Sequence, residues 1–255
     1  MSSSQQNKTY VGVFFDWKGT LCAKGGGKKK IEREKDALQA CDALFTDSDD
    51  FIFSKIYRQV QTQHLDKHEV IGRGALLDRV LAQIGETSRA EQVHNTYFKL
   101  FKGDPSQQKL YPGAEDLLKR LHQNQNVFTA LIRNSTLPNK EMMKTLHTYK
   151  VDHLFDIVVM SGDCKAEKPS KQIFQYTVDQ LASKSCQFAK LISENEKSIV
   201  FIGNETDADI VGANAMGWDS VLITNTESTS NGKATFDVCN LKELEQRVLK
   251  ETLNQ

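Results

Sequence analysis

The chain has 255 residues, of which 39% are hydrophobic, and 33 basic residues balance 33 acidic ones for a formal net charge of zero. That length suits one domain with a large insertion or two small ones, and the even charge excludes the basic signature of a nucleic-acid or anionic-membrane binder. Five scattered cysteines (Cys22, Cys41, Cys164, Cys186, Cys239) form no CxxC pair, so neither a disulfide framework nor a zinc site is expected, and a reducing compartment is.

The opening "MSSSQQN" reads as a disordered tail without an apolar targeting core, and no apolar run nears 18 residues; a soluble, cytoplasmic protein is expected. The first predicted strand is "TYVGVFF" (residues 9–15), apolar with little alternation, as in a central strand covered on both faces. "AKGGGKKK" (residues 23–30) follows as a flexible, charged connector. It lacks the GxxxxGK[ST] pattern of a phosphate loop and reads as a hinge. Residues 31–110 carry apolar positions at three- and four-residue spacing and predict helices throughout. Within them His64 and His68 lie four apart without an evident third metal ligand, so they read as a polar face, and Phe51, Phe53 and Tyr57 read as core.

After "YPG" (residues 111–113) helices and strands alternate. The predicted strands are residues 126–132, 155–160, 197–203 and 219–224, with helices near 139–149, after Pro169, over 207–216 and over "LKELEQRVLKE". The expectation is an α/β fold: a Rossmann-like parallel sheet flanked by helices, formed by residues 1–21 and 111–255, with an all-helical domain inserted at 22–110. Ligands of such sheets bind beyond the carboxyl ends of the strands. Four polar clusters converge there: Asp16 and Lys18; Arg133, Asn134 and Ser135; Lys168; and Asn204, Glu205, Asp207 and Asp209.

In order and placement these clusters resemble the four motifs of the haloacid dehalogenase-like hydrolase superfamily. Asp16-Trp17-Lys18-Gly19-Thr20-Leu21 is similar to its opening Asp-x-Asp-Gly-Thr-Leu. Arg133-Asn134 stands where Ser/Thr-Asn is usual, Lys168-Pro169 matches the third motif, and Gly203-Asn204 with Asp209-Ile210 matches the fourth. The resemblance implies that the helical insertion is a cap and that Asp16 is a nucleophile forming a covalent ester. It makes Lys168 the group that neutralises Asp16, and Thr20, Arg133, Asn134 and Ser135 phosphate-binding groups. It also implies Mg²⁺ held by Asp16, the Lys18 carbonyl, Asn204 and Asp209.

Two departures bear on that chemistry. Lys18 replaces the aspartate that protonates the leaving group and activates water, and an unperturbed ammonium, with a pKa of about 10.4, is a poor base at neutral pH. Asn204 replaces an acidic metal ligand with a neutral amide. Together they make the pocket three charge units more positive than the family pattern, so Mg²⁺ is either weakened or replaced by the Lys18 ammonium. The expected function is hydrolysis of a small phosphorylated metabolite through Asp16. The alternative is an inactive relative, a pseudoenzyme that binds an anion or a protein partner. No nucleic-acid or membrane partner is expected.

Overall fold

Four consecutive buried residues, Gly12–Phe15, form β1. In a strand successive side chains face opposite ways, and β1 divides its residues between two cores. Val13 and Phe15 join Leu117, Leu118, Leu121 and Leu146 on one side. Phe14 joins Phe174, Phe188, Phe201 and Trp218 on the other. Phe174 stacks edge-on against Phe201 and Trp218 with centroids 5.3 and 5.6 Å apart, the geometry aromatic rings prefer. A strand covered on both faces needs no polar alternation, which is why "VGVFF" reads as apolar throughout.

The computed structural model describes residues 8–23, 81–101, 109–135, 139–194, 198–224 and 229–254, with single positions at 36, 38, 40, 55, 59 and 78. The chain divides into two compact units, Met1–Lys24 with Gln108–Gln255, and Gly25–Gln107. In the second unit the longest described element is helix α1 (Ala90–Phe101), and its described residues include no strand. Residues 24–30 of the connector, His64, His68, Phe51, Phe53 and Tyr57 lie outside the described residues.

In the first unit β1 is followed by α2 (Ala114–Gln123), β2 (Phe128–Arg133), α3 (Asn139–Thr148), β3 (Ile157–Met160), α4 (Ser161–Cys164), α5 (Lys171–Lys184), α6 (Cys186–Glu194), β4 (Ile199–Gly203), α7 (Val211–Ala215), β5 (Asp219–Ile223) and β6 (Phe236–Val238). The helix at Leu241–Leu244 runs through a π-helical turn, Glu245–Leu249, into Lys250–Leu253. All neighbouring strands pair in parallel, in the order β3-β2-β1-β4-β5-β6. This is a Rossmann-like α/β sheet, as expected. β6 is not among the predicted strands, because a three-residue edge strand, half-buried except for Val238, carries no apolar run.

Chain direction across the sheet reverses at β1, which lies between β2 and β4. A reversal of this kind opens a crevice at the carboxyl ends of the strands. Register sets those ends level: Phe15 pairs with Leu131 of β2 and Ile202 of β4. Asp16, the next residue, donates its backbone N–H to the Ile202 carbonyl at 2.9 Å.

At the opposite end of the sheet, the Tyr10 hydroxyl donates to Asp219 at 2.8 Å, and Lys8 pairs with the same carboxylate oxygen. Burial, reinforced by the Asp219 charge, pushes the Tyr10 phenol far above its usual value. In the unfolded chain Tyr10 would titrate near 10.0, so folding is linked to keeping this proton. Its stability contribution is complete below that value and is lost as pH rises beyond it. The wild-type protein is therefore expected to lose more unfolding free energy than Tyr10→Phe between about pH 9 and pH 11, measured by urea unfolding. Equal losses would contradict the assignment.

Candidate active site

Beyond β1 the chain turns tightly. The Trp17 carbonyl accepts N–H groups from Thr20, Leu21 and Cys22 at 3.4, 3.0 and 3.0 Å. Gly19 takes a φ of 87°, a conformation that glycine adopts without the steric penalty of a Cβ. The turn leaves Asp16 partly accessible and encloses Thr20 completely. The Thr20 hydroxyl lies 3.5 Å from Oδ1 of Asn204, a long contact that links the ends of β1 and β4.

Lys168 is the centre of the cluster. Its side chain is 2% exposed, and its Nζ lies 2.7 Å from Oδ1 of Asp16 and 2.7 Å from Oδ1 of Asp209. The ammonium also stands 5.3 Å from the centroid of the Phe201 ring, within cation–π range. Burial alone would lower its pKa, but the two carboxylates outweigh burial and hold it above the usual lysine value. For Asp209 burial dominates and pushes the carboxyl up, while Lys168 pulls it back. The lysine offsets part of the charge of the two acids, and each carboxylate has a charged hydrogen-bond partner.

Asn134 fixes the backbone of that lysine. Its amide nitrogen donates to the Lys168 carbonyl at 2.9 Å, and its oxygen accepts from the Lys168 N–H at 2.8 Å. Both ends of the amide, expected to bind phosphate, thus contact the backbone of Lys168 and position it. Ser135 likewise ties β2 to β3: its N–H donates to the Ser161 hydroxyl, which donates back to the Ser135 carbonyl, both at 3.0 Å. Ser161 carries no signal in the sequence beyond its place at the end of a predicted strand. Arg133 is half-buried, with Nη1 3.0 Å from the Met142 sulfur of α3.

Asp209, an expected metal ligand, makes two kinds of contact. One oxygen meets Lys168. The other accepts N–H groups from Asn204 and Glu205 at 3.0 and 2.9 Å, closing the turn that leaves β4. The turn continues as a single π-helical segment, Thr206–Ile210, a distortion frequent at functional sites. Gly203 is required beside it. A Cβ at 203 would lie 2.3–2.4 Å from Cγ, Cβ and Oδ2 of Asp209. Asp209 is pinned by three hydrogen bonds and cannot retreat. Gly203→Ala is expected to destabilise the protein by about 1–3 kcal/mol through overpacking, read from urea unfolding; a cost near zero would contradict this close approach.

The donors expected for magnesium are weakened here. Among the described residues no three His, Cys, Asp or Glu side chains are grouped to hold a metal. Both oxygens of Asp209 already serve protein donors, which makes it a poorer ligand. Asp16 already accepts from an ammonium, and Asn204 offers only a neutral amide. The surroundings are cationic instead. Burial pushes the Cys22 thiol up, and the charges of Lys18 and Arg133 both pull it back, so the ends of β1 and β2 bring two cations to the same thiol.

The fold has counterparts of known structure. The magnesium-bound hydrolase YfnB of Bacillus subtilis is similar over 94% of this chain and 99% of its own, with a TM-score of 0.60 at 19% identity, which shows a shared fold. The model of the haloacid dehalogenase-like hydrolase family matches residues 42–223, and the chain belongs to that family. The matched range begins beyond β1 and does not include Asp16. Among curated relatives, a ribulose-1,5-bisphosphate 5-phosphatase of Halopiger xanaduensis is 29% identical over 47% of this chain and 44% of its own length. An uncharacterised hydrolase of Schizosaccharomyces pombe is 26% identical over 44% of this chain and 45% of its own. The chain spans under half the length of these relatives. Among the described residues no helix is long and apolar enough to cross a membrane, and the four described cysteines are free.

Proposed function

We propose that this chain is a phosphatase-type hydrolase of a small phosphorylated metabolite, with Asp16 as nucleophile and cationic side chains in the place of a metal. The observation that carries the reading is Lys168 bridging Asp16 and Asp209 at 2.7 Å on each side. A nucleophilic carboxylate must be held ionised, desolvated and aimed. The bridge gives one oxygen of Asp16 a charged partner that aims the carboxylate, and leaves the second oxygen for attack at phosphorus. Lys168, Lys18 and Arg133 then oppose the charge that develops on the phosphoryl oxygens, a role in which guanidinium and ammonium groups are effective.

A panel of phosphomonoesters and acyl phosphates, assayed with EDTA and again with added magnesium, tests the proposal. Hydrolysis at equal rates under both conditions is expected. Activity that vanishes with EDTA and returns with magnesium would overturn the assignment of the metal's place to side chains.

A further inference from the structure

The residues around Asp16 can bind and neutralise charge, but those named above are poorly suited to relay a proton. Lys18 occupies the position from which a carboxyl would donate to the leaving group and then take a proton from water. Lys168 is pinned between two carboxylates. Asp209 has one oxygen on Lys168 and the other on two backbone N–H groups. Asn204 and Thr20 are an amide and a hydroxyl that face each other.

Resting on the reading of Asp16 as nucleophile, we infer that the site takes phosphoryl donors whose leaving group departs without a proton, such as acyl phosphates, and that phosphorylated Asp16 then persists. In the first step a carboxylate oxygen of Asp16 bonds to phosphorus, and the bond from phosphorus to the leaving oxygen breaks. The electron pair stays on that oxygen, which leaves as a stable carboxylate anion. Attack is assisted by Lys168, Lys18 and Arg133, and no acid is needed. In the second step water bonds to phosphorus, the bond to the Asp16 oxygen breaks with its pair returning to Asp16, and the water proton passes to solvent. Without a carboxylate at position 18 to receive it, this step is the slow one. The donor is thereby restricted by leaving-group basicity, and the covalent state of the protein outlives the encounter that made it.

Rapid-quench kinetics with acetyl phosphate, an aryl phosphate and an alkyl phosphate, all in EDTA, tests this. Acetyl phosphate is expected to give a burst of about one equivalent per chain followed by slow turnover, as a rate-limiting second step requires. The preference for acetyl over alkyl phosphate, as a ratio of kcat/KM, is expected to be about 10²–10⁴-fold larger in wild type than in Lys18→Asp, the usual contribution of a general acid. The wild-type burst decides the matter even if Lys18→Asp does not fold. Absence of a burst, or alkyl phosphate turned over as fast as acetyl phosphate, would overturn the inference while leaving Asp16 as nucleophile. A leaving-group dependence that changes in Glu205→Gln would overturn it too, by identifying a carboxyl that serves as the acid. Undiminished turnover in Asp16→Asn would instead overturn the underlying reading.

Discussion

Lys168→Met is expected to cost about 3–5 kcal/mol of unfolding free energy and to abolish turnover. The substitution keeps the length of the side chain and removes only its charge and its hydrogen bonds. Asp16 and Asp209 would then face each other around an apolar group, one of them with a side chain only 1% exposed. Breaking a buried charge network by deleting one partner is far more costly than the network's net contribution, because uncompensated charge remains. The variant carries its own control in pH. One carboxyl of the pair is expected to take up a proton to relieve the repulsion. Protonation removes the uncompensated charge, so the deficit relative to wild type is largest near neutral pH and shrinks as pH falls toward about 5. Urea unfolding at the two pH values measures it. A deficit below about 1 kcal/mol at neutral pH would mean that Lys168 does not hold the two acids together.

Asp16→Asn has the largest expected effect on activity and among the smallest on the fold. An amide is not a nucleophile toward phosphorus, so kcat/KM is expected to fall by about four orders of magnitude or more. The amide oxygen can still accept from Lys168 at the position Asp16 Oδ1 now takes, and Asp209 remains as the counter-charge. The charge of Asp16 also contributes to pushing the Asp209 carboxyl up, and its removal relieves that repulsion. Stability is therefore expected to stay within about 1 kcal/mol of wild type. An Asp16→Asn variant that is folded and fully active would remove Asp16 from the chemistry.

The sheet was legible because its first five strands are apolar runs that stop at polar residues, and each stop fell at a strand end. Arg133 is the last residue of β2, and Asp16 and Asn204 directly follow β1 and β4. The edge strand β6 and the one-turn helix α4 were not legible. The three residues of β6, Phe-Asp-Val, make no apolar run, and α4 depends on the Asp163 carboxylate accepting the Met160 N–H at 2.8 Å, a contact with no periodicity. For the candidate site, residue types identified which groups converge but not what each touches. The resemblance to the second motif made Asn134 an expected phosphate ligand. Its two hydrogen bonds to Lys168 belong to tertiary structure between segments 34 residues apart. Asp209 divides its two oxygens between Lys168 and the turn after β4, a division that only tertiary structure reveals. The need for glycine at 203 is hidden in sequence, since only the folded turn brings Asp209 against its Cα.

The central claim is that Asp16 forms a bond to phosphorus without a metal. Trypsin cuts after Lys8 and Lys18, and the peptide released, "TYVGVFFDWK", contains Asp16 as its one acidic residue. After incubation with acetyl phosphate in EDTA and an acid quench, mass spectrometry of this peptide tests the claim most directly. The account predicts one phosphoryl group on the peptide, removed by hydroxylamine as an acyl phosphate must be and absent in Asp16→Asn. An unmodified peptide, or a phosphoryl group that survives hydroxylamine, would contradict it.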